Sequence, residues 1–124
     1  MTLRPLVSLA ATALLACGAQ PALAQDVAAG KVVFEQCAAC HSTDGSNGVG
    51  PSLKNVDGRK AGTLAGFRYS RAMKAAGITW DARTFDGYIA DPQKVVPGNV
   101  MPFSGIPDAK QRGDLIAYLK TLSS

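Results

Sequence analysis

The chain has 124 residues and a formal charge of +4, with thirteen Lys and Arg against nine Asp and Glu. The cations are scattered, whereas a nucleic-acid interface calls for a clustered basic face. Thirteen glycines and seven prolines imply much loop, and four Phe, three Tyr and one Trp leave few large side chains for a core.

In chain order, a single cation at Arg4 precedes an apolar run from Leu6 to Ala16 and a small-x-small site at Ala22-Leu23-Ala24. That is the order of a secretory signal, and the run falls short of the roughly 20 apolar residues that span a bilayer. Residues 1–24 are read as a signal peptide and 25–124 as one exported domain of net charge about +3, of a size that folds alone. Leu14-Leu15-Ala16-Cys17 also suggests a lipoprotein site that would anchor the chain through Cys17, but Leu15 directly before the alanine matches poorly. A free periplasmic protein is the better reading.

Asp26 can cap a helix to about residue 39, with Val27, Gly30, Val33 and Phe34 on one face. Residues 42–58 read as loop from their Gly, Ser, Asn and Asp. A short helix is expected over 70–76, ended by Gly77, and another from Trp80 or Asp81 to Ala90, capped by Thr79 and stopped at Asp91-Pro92. Four prolines and two glycines in 92–107 exclude a long helix or central strand. Asp108 opens a last helix to about Leu122, with Leu115, Ile116, Leu119 and Leu122 on one stripe. No segment alternates apolar and polar residues, so the fold is expected to be all-α. So thin a core suggests that something other than side chains fills the middle.

Cys37, Cys40 and His41 form Cys-x-x-Cys-His, a c-type haem attachment pattern. Two thiols near a helix end can each add to a porphyrin vinyl group, and the next residue then lies under the iron. Three rivals compete. A zinc site needs four ligands, and the chain has one histidine and no second cysteine pair. A thioredoxin-like pair needs a βαβ pattern. A disulfide across so short a loop removes little chain entropy. For the sixth iron position, Met73 lies in a predicted helix, where packing is its ordinary role. Met101 lies in an apolar loop, 96–103, that cannot form regular structure and needs a surface to lie against.

Gly30 and Phe34 before the motif, Gly50-Pro51 after it, Trp80, Tyr88 and Pro97-Gly98-x-x-Met101 together resemble a class I cytochrome c of the bacterial and mitochondrial type, over residues 26–122. The resemblance implies four to five helices and long loops wrapped around one haem c, attached through Cys37 and Cys40 and ligated by His41 and Met101. It implies that the first and last helices cross at Gly30, close to Leu115 and Tyr118. It implies that the Pro51 carbonyl accepts the His41 Nδ1–H and that Tyr88 points its hydroxyl at the Met101 sulfur. Asn99 stands where the family usually has a hydroxyl near the inner propionate. Arg59, Tyr69, Ser70 and Trp80 match positions that bind the propionates, although Tyr69 and Trp80 could equally be core aromatics and Arg59 a solvated charge.

Two filled axial positions leave iron no vacancy for substrate, which argues for electron transfer rather than catalysis. The alternative is a haem peroxidase or gas sensor with an open sixth site. The expected partners are transient redox proteins, either membrane oxidoreductase complexes or periplasmic dehydrogenases and oxidases, met by a monomer. Gln93 and Val100 occupy places where familiar members carry steering lysines, and Lys94 remains. Weak salt dependence and an apolar contact patch are therefore expected.

Overall fold

The structure, a computed structural model, describes residues 13–16, 18 and 25–124. The cleavage motif at 22–24 and Cys17 lie outside the described residues. Among those described, no helix is long and apolar enough to cross a membrane.

The described residues form five helices in order: α1 (Val27–Ala38), α2 (Arg71–Ala75), α3 (Ala82–Ala90), α4 (Pro92–Val95) and α5 (Ala109–Lys120). Each begins at a side-chain cap that satisfies an orphan N–H of the first turn. Asp26 accepts from Ala29 N at 3.0 Å, Ser70 from Met73 N at 3.1 Å, and Asp108 from Gln111 N at 2.8 Å. The cap of α3 is Asp81 rather than the expected Thr79. Asp81 and Thr84 form a capping box, and the Thr79 carbonyl instead accepts from Thr84 Oγ1 at 2.7 Å. The proline-rich stretch yields a four-residue helix, α4, that periodicity did not announce. Pro92 sits in its first turn, where a missing N–H costs nothing, and Asp91 caps it through Lys94 N.

Among the described residues the only extended pairing outside the helices is an isolated antiparallel bridge between Lys60 and Thr79. Around it, Gly58 N donates to Trp80 O at 2.7 Å, Trp80 N to Arg59 O at 2.9 Å and Ala61 N to Ile78 O at 2.7 Å. This ties the long loop to the residues that lead into α3.

The frame of the molecule is α1 packed on α5. A Cβ on Gly30 would collide with the Asp114 carbonyl, so only glycine lets the helices approach this closely. One turn on, the Phe34 and Tyr118 rings meet at 5.1 Å. Asp114, buried in α5, locks the same contact: its Oδ1 accepts Asp26 N at 2.8 Å and Lys110 Nζ at 2.6 Å. Those bonds, the Lys110 one foremost, hold its pKa below the ordinary carboxylate value. Leu115, Ile116 and Leu119 complete the buried face of α5. Leu122, expected on the same stripe, lies beyond the last turn and is half-buried against the core.

Gly30→Ala is expected to force α1 and α5 apart at a cost of about 1–3 kcal/mol, read by denaturant unfolding of the haem-loaded protein. Wild-type stability in that variant would contradict the close approach.

Candidate functional site

The last turn of α1 gathers the chemistry. Cys40 N and His41 N both donate to Cys37 O, at 3.1 and 2.9 Å, so both thiols and the imidazole hang from a single turn. Cys37 and Cys40 are free and half-buried. Burial, then the neighbouring Cys40, pushes the Cys37 thiol up.

The loop after this turn folds back beneath His41. Gly50 N donates to Cys40 O at 2.8 Å, and a Cβ at Gly50 would stand 2.6 Å from His41 Cε1. The imidazole therefore lies directly on glycine backbone. His41 Nδ1 and Pro51 O are 2.7 Å apart. A carbonyl oxygen only accepts, so Nδ1 must carry the proton and Nε2 must present a lone pair. Burial lowers the His41 pKa; the Pro51 bond works in the other direction, and nearby Arg59 lowers it further. The ring is thereby kept neutral and ready to ligate.

Cys37, Cys40, His41 and Met101 all line one cavity of about 260 Å³. Trp80, Phe85, Tyr88, Leu115 and Leu119, all core residues, line it too. Interiors are close-packed, whereas this cavity opens to solvent past Val49 and Val100 and leaves core side chains facing it, at a cost of roughly 25 cal/mol per Å² of apolar surface. Water would meet mostly hydrocarbon there. The cradle fits a large apolar group bearing a metal, held by two thiols and a neutral imidazole.

Met101 enters this cavity from the loop after α4. The Tyr88 hydroxyl lies 4.0 Å from its sulfur. Burial pushes the Tyr88 pKa up to about 12, so at neutral pH the phenol stays a donor. Trp80 stacks on Phe85 at 5.5 Å and tilts against Tyr88 at 5.1 Å. Met73 also lines the cavity and packs on the core.

Arg59, Tyr69 and Ser70 line the same cavity. The Arg59 guanidinium is not a solvated charge: it donates to Ser52 O at 2.9 Å and Lys54 O at 3.3 Å, and burial lowers its pKa. The Tyr69 hydroxyl accepts from Leu64 N at 3.3 Å and the Ser70 hydroxyl from Met73 N, which leaves each a proton to donate. Asn99 lines the cavity as well, but its side chain is turned to backbone. Both amide protons are spent on backbone, to Pro92 O at 3.1 Å and Val96 O at 2.9 Å, while Oδ1 accepts Met101 N at 3.0 Å. It braces its own loop, with no donor left for a carboxylate.

Residues 27–123 match the family model described as cytochrome c. The chain belongs to the cytochrome c family. It is 53% identical over 97 residues to a cytochrome c2 of Rhodoplanes tepidamans, covering 77% of this chain and 91% of that one. It is 46% identical over 98 residues to a cytochrome c of Tetrahymena pyriformis, covering 78% and 89%. Among solved structures, cytochrome cH from Methylobacterium extorquens superposes with a TM-score of 0.75 at 50% identity, over 77% of this chain and 98% of that one. Membership brings covalent haem c on Cys37 and Cys40 and electron transfer as the activity.

Sequence reasoning missed Asp114 and gave Gln93 no bonding role. Each reads as an ordinary polar helix residue, and its partners lie elsewhere in the chain: Asp26 for Asp114, and Gly98 and Asn99 for Gln93.

Because the core is built around the cradle, a Cys37→Ala/Cys40→Ala variant made without covalent haem is expected to lose cooperative thermal unfolding by circular dichroism. Cooperative melting at the wild-type temperature would contradict a core completed by the cofactor.

Proposed function

We propose that this cytochrome c is a one-electron shuttle whose haem is held by His41 Nε2 and the Met101 thioether, low-spin in both oxidation states, and that it is not an enzyme. The observation that carries this is the pairing of a tautomer-locked imidazole and a braced thioether on one apolar cavity. Haem supplies an iron that takes up and gives back one electron.

The chain's own residues set the conditions for that exchange. The Pro51 carbonyl makes the His41 ring a better donor. The soft Met101 sulfur favours the reduced metal, and apolar walls from Trp80, Phe85 and Leu115 disfavour the extra charge of the oxidised one; both raise the potential. Two ligands supplied by the chain close the positions that peroxide or a gas would need, so the peroxidase or sensor reading is the weaker one. The familial activity points the same way.

Partners meet the cavity mouth. Val49 and Val100 both line the cavity, yet are 74% and 76% exposed. Gln36 stands there too, and apart from His41 the one ionisable basic side chain in the lining is Arg59, tied to backbone. Such a rim suits brief, largely uncharged contacts with membrane oxidoreductase complexes or periplasmic dehydrogenases and oxidases, over the small area typical of redox encounters. The signal-like residues 1–24 support export as a free periplasmic protein. Mass spectrometry of the exported protein should find Gln25 at its start, and an acylated Cys17 would overturn that reading.

Met101→Leu is expected to abolish the weak near-infrared sulfur-to-iron band of the ferric protein. It should also lower the midpoint potential by on the order of 0.1 V, a fraction of the roughly 0.8 V that axial ligands command. An unchanged spectrum and potential would overturn the assignment. The rate of electron exchange with a redox partner should change by less than about tenfold from low to physiological salt, below the range of strong steering. A steep fall with salt would contradict the uncharged rim.

A further inference from the structure

Residues 96–103 place a ligand without the help of regular structure, so the bonds that hold this loop decide where the Met101 sulfur can go. Two side-chain amides supply most of them. Gln93, on α4, accepts Gly98 N at 3.2 Å through Oε1 and donates Nε2–H to Asn99 O at 3.0 Å. Asn99 is buried and ties back to Pro92 O in α4 and to Val96 O at the helix's C-cap, while its Oδ1 receives Met101 N. Asn99 N also donates to Val96 O at 3.1 Å. Load on the Met101 backbone therefore passes to Asn99, from Asn99 to Gln93, and so to a helix.

Other bonds lie on the far side of Met101: its carbonyl accepts Phe103 N at 2.8 Å, within the strap, and Ile106 N donates to Ile89 O at 2.8 Å, five residues on. Val100, between Asn99 and Met101, is 76% exposed and grips nothing. Tyr88 reaches only the sulfur, at 4.0 Å. A methionine side chain has three rotatable bonds and adapts readily, so its direction depends on a fixed backbone. Gln93 would otherwise count as an exposed surface glutamine.

We propose that Gln93 and Asn99 form an amide clamp that positions Met101, with Gln93 the residue that sets how readily the thioether leaves the iron. This rests on the reading of Met101 as a ligand. An outside ligand can bind only when the thioether has let go, so its apparent affinity scales with the open fraction. Each clamp bond contributes a modest net amount.

The test uses imidazole, titrated into the ferric haem-loaded protein and followed at the near-infrared band. Gln93→Leu keeps the bulk and removes both bonds; it is expected to bind imidazole about fivefold more tightly than wild type, the effect of roughly one net hydrogen bond. Its near-infrared band should also melt at a lower temperature than its far-ultraviolet helix signal. Lys110→Met, which breaks the Asp114 ion pair away from the loop, controls for general destabilisation and should bind imidazole as wild type does. Wild-type affinity in Gln93→Leu, with the band present in wild type, overturns the clamp alone. An equal gain in Lys110→Met does the same. A wild type with no band at all overturns Met101 ligation and the clamp with it.

Discussion

One hydrogen bond, from His41 Nδ1 to the Pro51 carbonyl at 2.7 Å, determines what the site can be. It settles which nitrogen holds the proton, leaves the other with a lone pair directed away from backbone, and makes the ring more basic toward a metal. The surroundings serve that bond. Gly50 brings the loop against the ring where any Cβ would collide, and the Cys40 carbonyl takes the Gly50 N–H to fix the register. Behind the loop, buried Ser52 accepts from Gly45 N and Lys54 N, and Asn47 accepts from Ser52 N. A segment that reads as loop is thus braced by side-chain and backbone bonds at several points.

The α1–α5 contact acts on the same turn from the other side. Gly30, Phe34 and Asp114 fix the axis of α1, and α1 ends where the thiols begin. The stability of the helix pair and the placement of the cofactor attachment are thus one problem. His41 and Met101, which face one cavity, are held by different means. His41 belongs to a helix terminus backed by a long braced loop. Met101 belongs to a strap suspended from α4, a four-residue helix of which only Pro92 is buried. The clamp proposed for Gln93 and Asn99 therefore acts on the less supported of the two sides.

Much of this was legible in the residues. Cys-x-x-Cys-His, the proline-rich apolar strap around Met101 and the shortage of aromatics each pointed to a molecule completed by haem. The cavity lined by Trp80, Phe85 and Leu115 is the structural counterpart of that shortage. The four longer elements were also visible, because α1 and α5 carry apolar stripes and acidic caps, and α2 and α3 have clear stops. Three things were not visible. The cap of α3 fell to Asp81 because it forms a reciprocal box with Thr84, which Thr79 cannot. The helix α4 is too short to show a period. The roles of Asn99 and Gln93 depend on where a loop without regular structure brings its carbonyls, and no spacing rule encodes that.

Whether the Met101 thioether meets the same iron as His41 is read directly by methyl-selective NMR of the reduced, haem-loaded protein. With ¹³C-labelled methionine methyls, the Met101 methyl should be carried far upfield by the porphyrin ring current, while the Met73 methyl stays near ordinary side-chain positions. Two ordinary methyls, or an upfield signal that belongs to Met73, would contradict the account.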